Sequence, residues 1–230
     1  MEEVMDPISV AFPLTGEWCA VNTPGHKVPS HGTDQLGQRY AYDFIKIDWR
    51  KEKGYKFYTT PLIRSILFGV ALEDTYCWSQ PILAPFDGEV IVAQDGLKER
   101  NPVHFVRDMA VVLKNSIFFR AKSNEELHPL LGNYLILKKD DGIYSLIAHA
   151  KNGSLKVSNG QRISEGQFLA EVGHSGNSTA PHLHFQLMDR PELLEAEGLP
   201  CCFKHYQRHD DRRWLQVTDG VPGRRERIMT

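Results

Sequence analysis

Several stretches of this 230-residue chain place metal-binding or proton-transferring side chains at informative spacings. The first is His182-Leu183-His184-Phe185. Successive side chains of a strand point to opposite faces, so His182 and His184 share one face while Leu183 and Phe185 share the other. The apolar pair can enter a core and leave two imidazoles facing a cleft. The preceding loop, GHSGNSTAP, is small and polar enough to keep that cleft open. His149 closes a second run, YSLIAH. Upstream, in SHGTDQLGQRYAYDF, His31 follows a loop and Asp43 sits between Tyr42 and Phe44 in an apolar strand pattern. A carboxylate there is costly to bury unless it is paired, hydrogen-bonded or metal-bound. Two imidazoles and one carboxylate make a suitable shell for catalytic zinc, with a fourth position left for water. An isolated H-x-H more often marks surface or core histidines, and it is the set of partners that favours a metal site.

The elements that must hold these residues read as mainly β. Short alternating or apolar runs recur between Gly, Pro, Asn and Asp breaks, as in an all-β domain of packed sheets. The expected strands are Tyr40 to Ile47, Gly88 to Gln94, Ala110 to Leu113, Tyr134 to Lys138, Tyr144 to His149, Phe168 to Val172 and His182 to Met188. Asp140-Asp141-Gly142 reads as a hairpin turn between two of them. Two stretches look inserted, Lys51 to Tyr76 and Lys98 to Arg107, and Asn124 to Leu131 suits one or two helical turns. The charged tail from Arg208 onward is expected to fray at its end.

Composition narrows the classes. The chain is 41% hydrophobic and 24% charged, an ordinary balance for one soluble domain with a sizeable core. Its formal charge of -2 shows no basic excess and argues against a nucleic-acid partner. Ten histidines are the unusual feature. Cys19, Cys77, Cys201 and Cys202 form no C-x-x-C pair, which argues against a thiolate zinc site. The longest apolar patch, around Ile66 to Leu72, is too short to span a bilayer. The opening residues MEEVMDPISV are acidic and lack a secretory pattern. The sequence as given therefore reads as cytoplasmic, and a processed periplasmic or extracellular form would look the same.

At the level of whole motifs the chain resembles the lysostaphin-type, or LytM-like, zinc metalloendopeptidases. The likeness runs from APFDGEVIVAQDG through GNYLILKKDDGIYSLIAHAKNGSLKVSNGQRISEGQFLAEVGHSGNST to APHLHFQLMD, with SHG and YAYDF upstream. It implies a single metallopeptidase domain over residues 1–230, with its motif core at about 26–190. The implied fold is mainly β, an antiparallel sandwich or open barrel-like sheet of the duplicated hybrid motif type with short helical insertions. The resemblance also implies roles: His31 and His184 as zinc ligands, His149 and His182 as catalytic residues, and an upstream aspartate as the third ligand. Family spacing places that aspartate four residues after the histidine, where this chain has Gln35. Asp43 lies in the better strand context and is preferred to Asp34, with Gln35 to Tyr42 read as an insertion. His174 stands where relatives commonly carry a small polar residue and reads as structural. Asn133 suits substrate positioning or a turn. The implied activity is zinc-dependent hydrolysis of a peptide bond, as in a peptidoglycan-type peptide; the alternative is a non-catalytic LytM-like peptide- or glycan-binding or regulatory module.

Overall fold

The computed structural model describes residues 6–50 and 56–230, so the first five residues and the start of the expected 51–76 insertion lie outside it. Fourteen strands are found among the described residues. They are β1 (Ile8–Val10), β2 (Glu17–Asn22), β3 (Tyr42–Ile45), β4 (Pro81–Leu83), β5 (Gly88–Gln94), β6 (Asn133–Lys139), β7 (Tyr144–Ala150), β8 (Arg162–Ile163), β9 (Phe168–Glu171), β10 (Leu183–Met188), β11 (Gly198–Leu199), β12 (Cys201–His209), β13 (Trp214–Gly220) and β14 (Arg227–Met229). Three short α-helices interrupt them: α1 (Leu62–Phe68), α2 (Phe105–Phe118) and α3 (His128–Leu131). One large open sheet runs β1-β12-β14-β2-β3-β10-β7-β6-β5-β8, with β11 on β10 and β13 on β12, and β4 and β9 pair separately. The mainly β, open-sheet expectation is borne out. The sheet is mixed rather than wholly antiparallel, because β1 runs parallel to β12.

The motif strands lie where the sequence pattern put them, and the Asp140-Asp141-Gly142 turn joins the antiparallel pair β6 and β7. Two expectations are corrected. Ala110 to Leu113 is part of helix α2, not a strand. A four-residue apolar run carries too little periodicity to separate the two, and here the pattern around it closes a 14-residue helix. The tail does not fray at its end either: β13 pairs with β12, and β14 lies between β12 and β2. Ile228 is fully buried there opposite Trp18, and the flanking Arg227 forms an ion pair with Glu17 at 3.0 Å.

Strand alternation divides the core. Tyr42, Phe44, Leu183, Phe185 and Leu187 turn into the larger cluster, where Phe12 and Phe203 pack ring to ring at 4.4 Å. Met188, Leu146, Ala148, Ile136 and Leu193 build a second cluster on the opposite face. Asp43 and His184 therefore lie on the second face, next to an apolar layer that excludes water from below. Leu131 of α3 joins the second cluster, whereas no described residue of α1 or α2 belongs to either. Leu62, Ile63, Ile66, Leu67 and Phe68 of α1 are each more than half exposed, as are Phe105 and Val106 of α2. The bases of the two helices are tied by a Val70–Val103 bridge.

Candidate metal centre

Pairing across three strands builds the centre. Asp43 of β3 is directly opposite His184 of β10, and Asn22 of β2 is opposite Asp43 on the other side. His31 joins them from the loop before β3, and the ligand atoms of His31, Asp43 and His184 lie within 4.8 Å of one another. Asp34 lies outside this group; it is largely exposed and bonded to Arg39 at 2.9 Å. The preferred carboxylate of the sequence reading is thus the one brought to the histidines.

Hydrogen bonds behind these residues fix where their electron pairs point. Gln186 Nε2 donates to the Leu36 carbonyl at 2.7 Å, so its Oε1, 3.0 Å from His184 Nε2, must accept a proton from that nitrogen. The remaining lone pair of a neutral His184 sits on Nδ1, 2.9 Å from Asp43 Oδ1. Ser30 Oγ donates to the Gln38 carbonyl at 3.3 Å and accepts from His31 Nδ1 at 3.0 Å, which leaves His31 Nε2 facing Asp43 Oδ2 at 2.9 Å. Asn22 Nδ2 donates to the same carboxylate oxygen at 2.6 Å. Two imidazole lone pairs aimed at a carboxylate repel unless a proton or a cation lies between them. The donor set, two imidazoles and one carboxylate, fits a divalent ion with an open position.

Electrostatics agree. Burial alone would raise the Asp43 carboxyl, but the facing His31 and His182 rings and hydrogen bonds from His184 and His31 hold it well below the usual carboxylate range. Burial opposes charge on His184 too, yet its hydrogen bond to Asp43 raises it above an ordinary histidine.

The other two histidines stand beside this group. His149 is the penultimate residue of β7, at a positive φ of 63° and next to a register shift against β6 that turns its side chain into the cleft. Its Nδ1 donates to the Ser175 carbonyl at 2.9 Å. His182 just precedes β10 and its Nδ1 donates to the Ala180 carbonyl at 2.7 Å. Both rings therefore keep Nε2 free of a proton, and their centroids are 4.8 Å apart. Burial first, then the neighbouring histidines, keeps His149 well below the ordinary histidine range; burial also lowers His182. A cleft of about 1190 Å³ exposes all five residues together, with Val112 and Asn115 of α2 in its wall.

Asn133 turns away from this cleft. It is fully buried at the start of β6 and bridges the backbone of Leu97 and Ala150, which is neither a turn nor a cleft position. Sequence reasoning missed Asn22, Ser30, Ser178 and Gln186. Only Gln186 had a signal to find it by, since it lies two residues after His184 on the same strand face.

Residues 98–195 match the profile of Peptidase family M23. The chain is 33% identical over 69 residues to Peptidoglycan DD-endopeptidase ShyA of Vibrio cholerae, an overlap of 30% of this chain and 16% of that protein. It is 41% identical over 58 residues to Glycyl-glycine endopeptidase ALE-1 of Staphylococcus capitis, covering 25% of this chain and again 16% of the relative. Among solved structures, the catalytic domain of the antimicrobial peptidase lysostaphin from Staphylococcus simulans overlaps 65% of this chain and 89% of that one, with 22% identity and a TM-score of 0.34. The likeness to lysostaphin-type, LytM-like peptidases expected from the motifs is borne out. No helix among the described residues is long and apolar enough to cross a membrane.

Proposed function

We propose that this protein is a zinc-dependent endopeptidase that hydrolyses a peptide bond in a peptidoglycan-type peptide. The observation that carries the reading is the convergence of His31 Nε2, the Asp43 carboxylate and His184 Nδ1 beside the unprotonated Nε2 atoms of His149 and His182. The names of two curated relatives, a peptidoglycan DD-endopeptidase and a glycyl-glycine endopeptidase, support the substrate class. His31, Asp43 and His184 would hold the ion. Two neutral imidazoles and one carboxylate leave it a net positive charge, so it supplies Lewis acidity towards a carbonyl and acidifies water.

The chain's own residues do the rest. His149 and His182 stay neutral because their surroundings are buried, and each offers a lone pair at Nε2. Either can accept the proton of the attacking water, and the ring that does so becomes a donor to the leaving nitrogen. The carbonyls of Ser175 and Ala180 hold the opposite nitrogen of each ring, so the imidazolium formed is stabilised from behind. The Asp43 carboxylate balances charge without being consumed.

Cleavage of purified peptidoglycan fragments, read by mass spectrometry with and without chelator, tests the reading. His184→Ala is expected to abolish both tight zinc binding and turnover. His182→Ala is expected to keep the metal while losing about 10²–10⁴-fold in kcat, the usual worth of a general acid–base group. Full hydrolysis by zinc-free wild-type protein refutes the scheme.

A further inference from the structure

A second buried polar group lies behind the cleft, and no residue of the proposed chemistry accounts for it. Asp108, on the first turn of α2, is fully buried. It accepts from Arg100 Nε at 2.7 Å, from Arg107 Nε at 3.0 Å and from the His104 backbone N–H at 2.8 Å. His174 Nε2 approaches its Oδ2 to 3.5 Å, within ion-pair range though too long for a hydrogen bond. On the other side of that ring, Nδ1 is 3.0 Å from Ser178 Oγ. Ser178 Oγ in turn is 3.1 Å from His182 Nδ1 and 2.6 Å from the Ala180 carbonyl. His174 and Ser178 are both fully buried.

Serine, histidine and aspartate in that order are the components of a nucleophilic triad. That use is excluded here. The Ser178 hydroxyl has one proton, and the 2.6 Å contact to a carbonyl commits it to Ala180. Its oxygen then accepts from the N–H groups of His174 and His182, and no cleft surface reaches it. What the arrangement does do is tie the loop 174–180 to the helix. Arg100 reinforces the tie with two further bonds at 2.7 Å, from Nη1 to the Gly176 carbonyl and from Nη2 to the Ser178 carbonyl. Asn115, two turns further along α2, donates to Asn177 Oδ1 at 3.0 Å. Gly176 permits the close seat: at φ 69° its backbone packs so tightly on Gly132 that a Cβ would come within 2.3 Å of the Gly132 nitrogen. Burying this many polar atoms, with His174 Nε2 lacking a hydrogen-bond partner, is expensive where an apolar filling would serve packing alone.

We infer that Asp108, His174 and Ser178 are positioning residues through which helix α2 sets the orientation of the His182 ring in the cleft. The carbonyl that holds His182 Nδ1 is the one that receives the Ser178 proton, so displacing Ser178 displaces both partners of that nitrogen. The inference rests on the assignment of His182 to catalysis, made in the preceding section. It carries a consequence for substrate as well: α2 lines the cleft through Val112 and Asn115, so a peptide lying in the cleft would meet the same helix that orients the ring.

The test uses the full chain loaded with zinc and three variants: His174→Phe, which keeps volume and removes the donor; His174→Asn, whose amide restores a donor near the Nδ1 position; and Ser178→Ala. His174→Phe and Ser178→Ala are expected to lower kcat about 10–100-fold, the loss typical of residues that orient a functional histidine. KM should move less than threefold and zinc content should not change, while His174→Asn recovers most of the rate. Imidazole nitrogen NMR of histidine-labelled protein gives a readout that needs no turnover. The His182 ring signals should shift in His174→Phe and Ser178→Ala, and those of His31 should stay. Unmoved His182 signals overturn the inference whatever the assay gives. Loss of activity matched by loss of zinc or of folded protein, with no recovery in His174→Asn, overturns it in favour of plain structural support. If wild-type protein cleaves nothing, the functional reading fails, and the NMR result still decides the positioning claim.

Discussion

Gln186 and Asn22 touch the proposed ligands from behind, and their neutral side chains decide which atoms would face an ion. Replacing Gln186 by Leu removes the acceptor for His184 Nε2–H and frees the ring to flip or change tautomer. Zinc affinity, measured by competition with a chromogenic chelator, should fall about 10–100-fold. Gln186→Glu, which keeps an acceptor, should lose far less. Buried titrating groups also set a pH dependence in chelator-treated protein. Burial keeps His149, His174 and His182 below the ordinary histidine range when folded. Unfolded histidines take up protons near ~6.5, so below that value the unfolded state binds more protons and stability falls with pH. His184 acts oppositely: its raised value stabilises fully below ~6.5 and fades as pH rises through its folded pKa. Asp43 and Asp108, both depressed on folding against the opposing effect of burial, add a further loss as pH drops below ~3.9. With three lowered histidines against one raised, the Tm of the metal-free protein should be lower at pH 5 than at pH 7. An unchanged or higher Tm at pH 5 contradicts this balance.

At the scale of elements, legibility followed the range of the contacts. Strands β5, β6, β7 and β10 could be read because each alternates or runs apolar between turn residues, and His184 and Asp43 inherited their facing from that alternation. Helix α2 could not, because its AVVL segment has a β-branched, apolar composition that suits a strand equally well. The closing strands β12 to β14 were missed for a different reason. Arg227 and the charges before it suggest a solvated tail, and only the distant partners Glu17 and Trp18 reveal that Ile228 is core. The same holds for Asn22, whose role exists only through its register with Asp43. If β14 is integral to the sheet, Ile228→Ala should cost about 2–5 kcal/mol in denaturant-induced unfolding, the range for emptying a buried isoleucine site. A loss under 0.5 kcal/mol, typical of exposed positions, would put the tail outside the cooperative unit.

At the scale of the molecule, two properties pull in different directions. The apolar α1 tip with Leu67 and Phe68 stands in solvent, so the folded protein should be retained on a hydrophobic matrix, and Leu67→Gln with Phe68→Gln should elute earlier with zinc content unchanged. The metal centre, by contrast, is knit into the middle of the sheet. Asn22, Asp43, His184 and Ala148 follow one another across β2, β3, β10 and β7, and a one-residue slip between β3 and β10 would turn a ligand towards the larger apolar cluster. An unfolded or misregistered chain therefore offers zinc no comparable grip, and whatever binds only the native arrangement favours it by mass action. At a free concentration one hundred times the dissociation constant, the gain is about 2.7 kcal/mol. An ion bound there would fasten the fold as well as serve the proposed chemistry: melting temperature should climb with each increment of zinc, and the climb should vanish in a chain lacking His184.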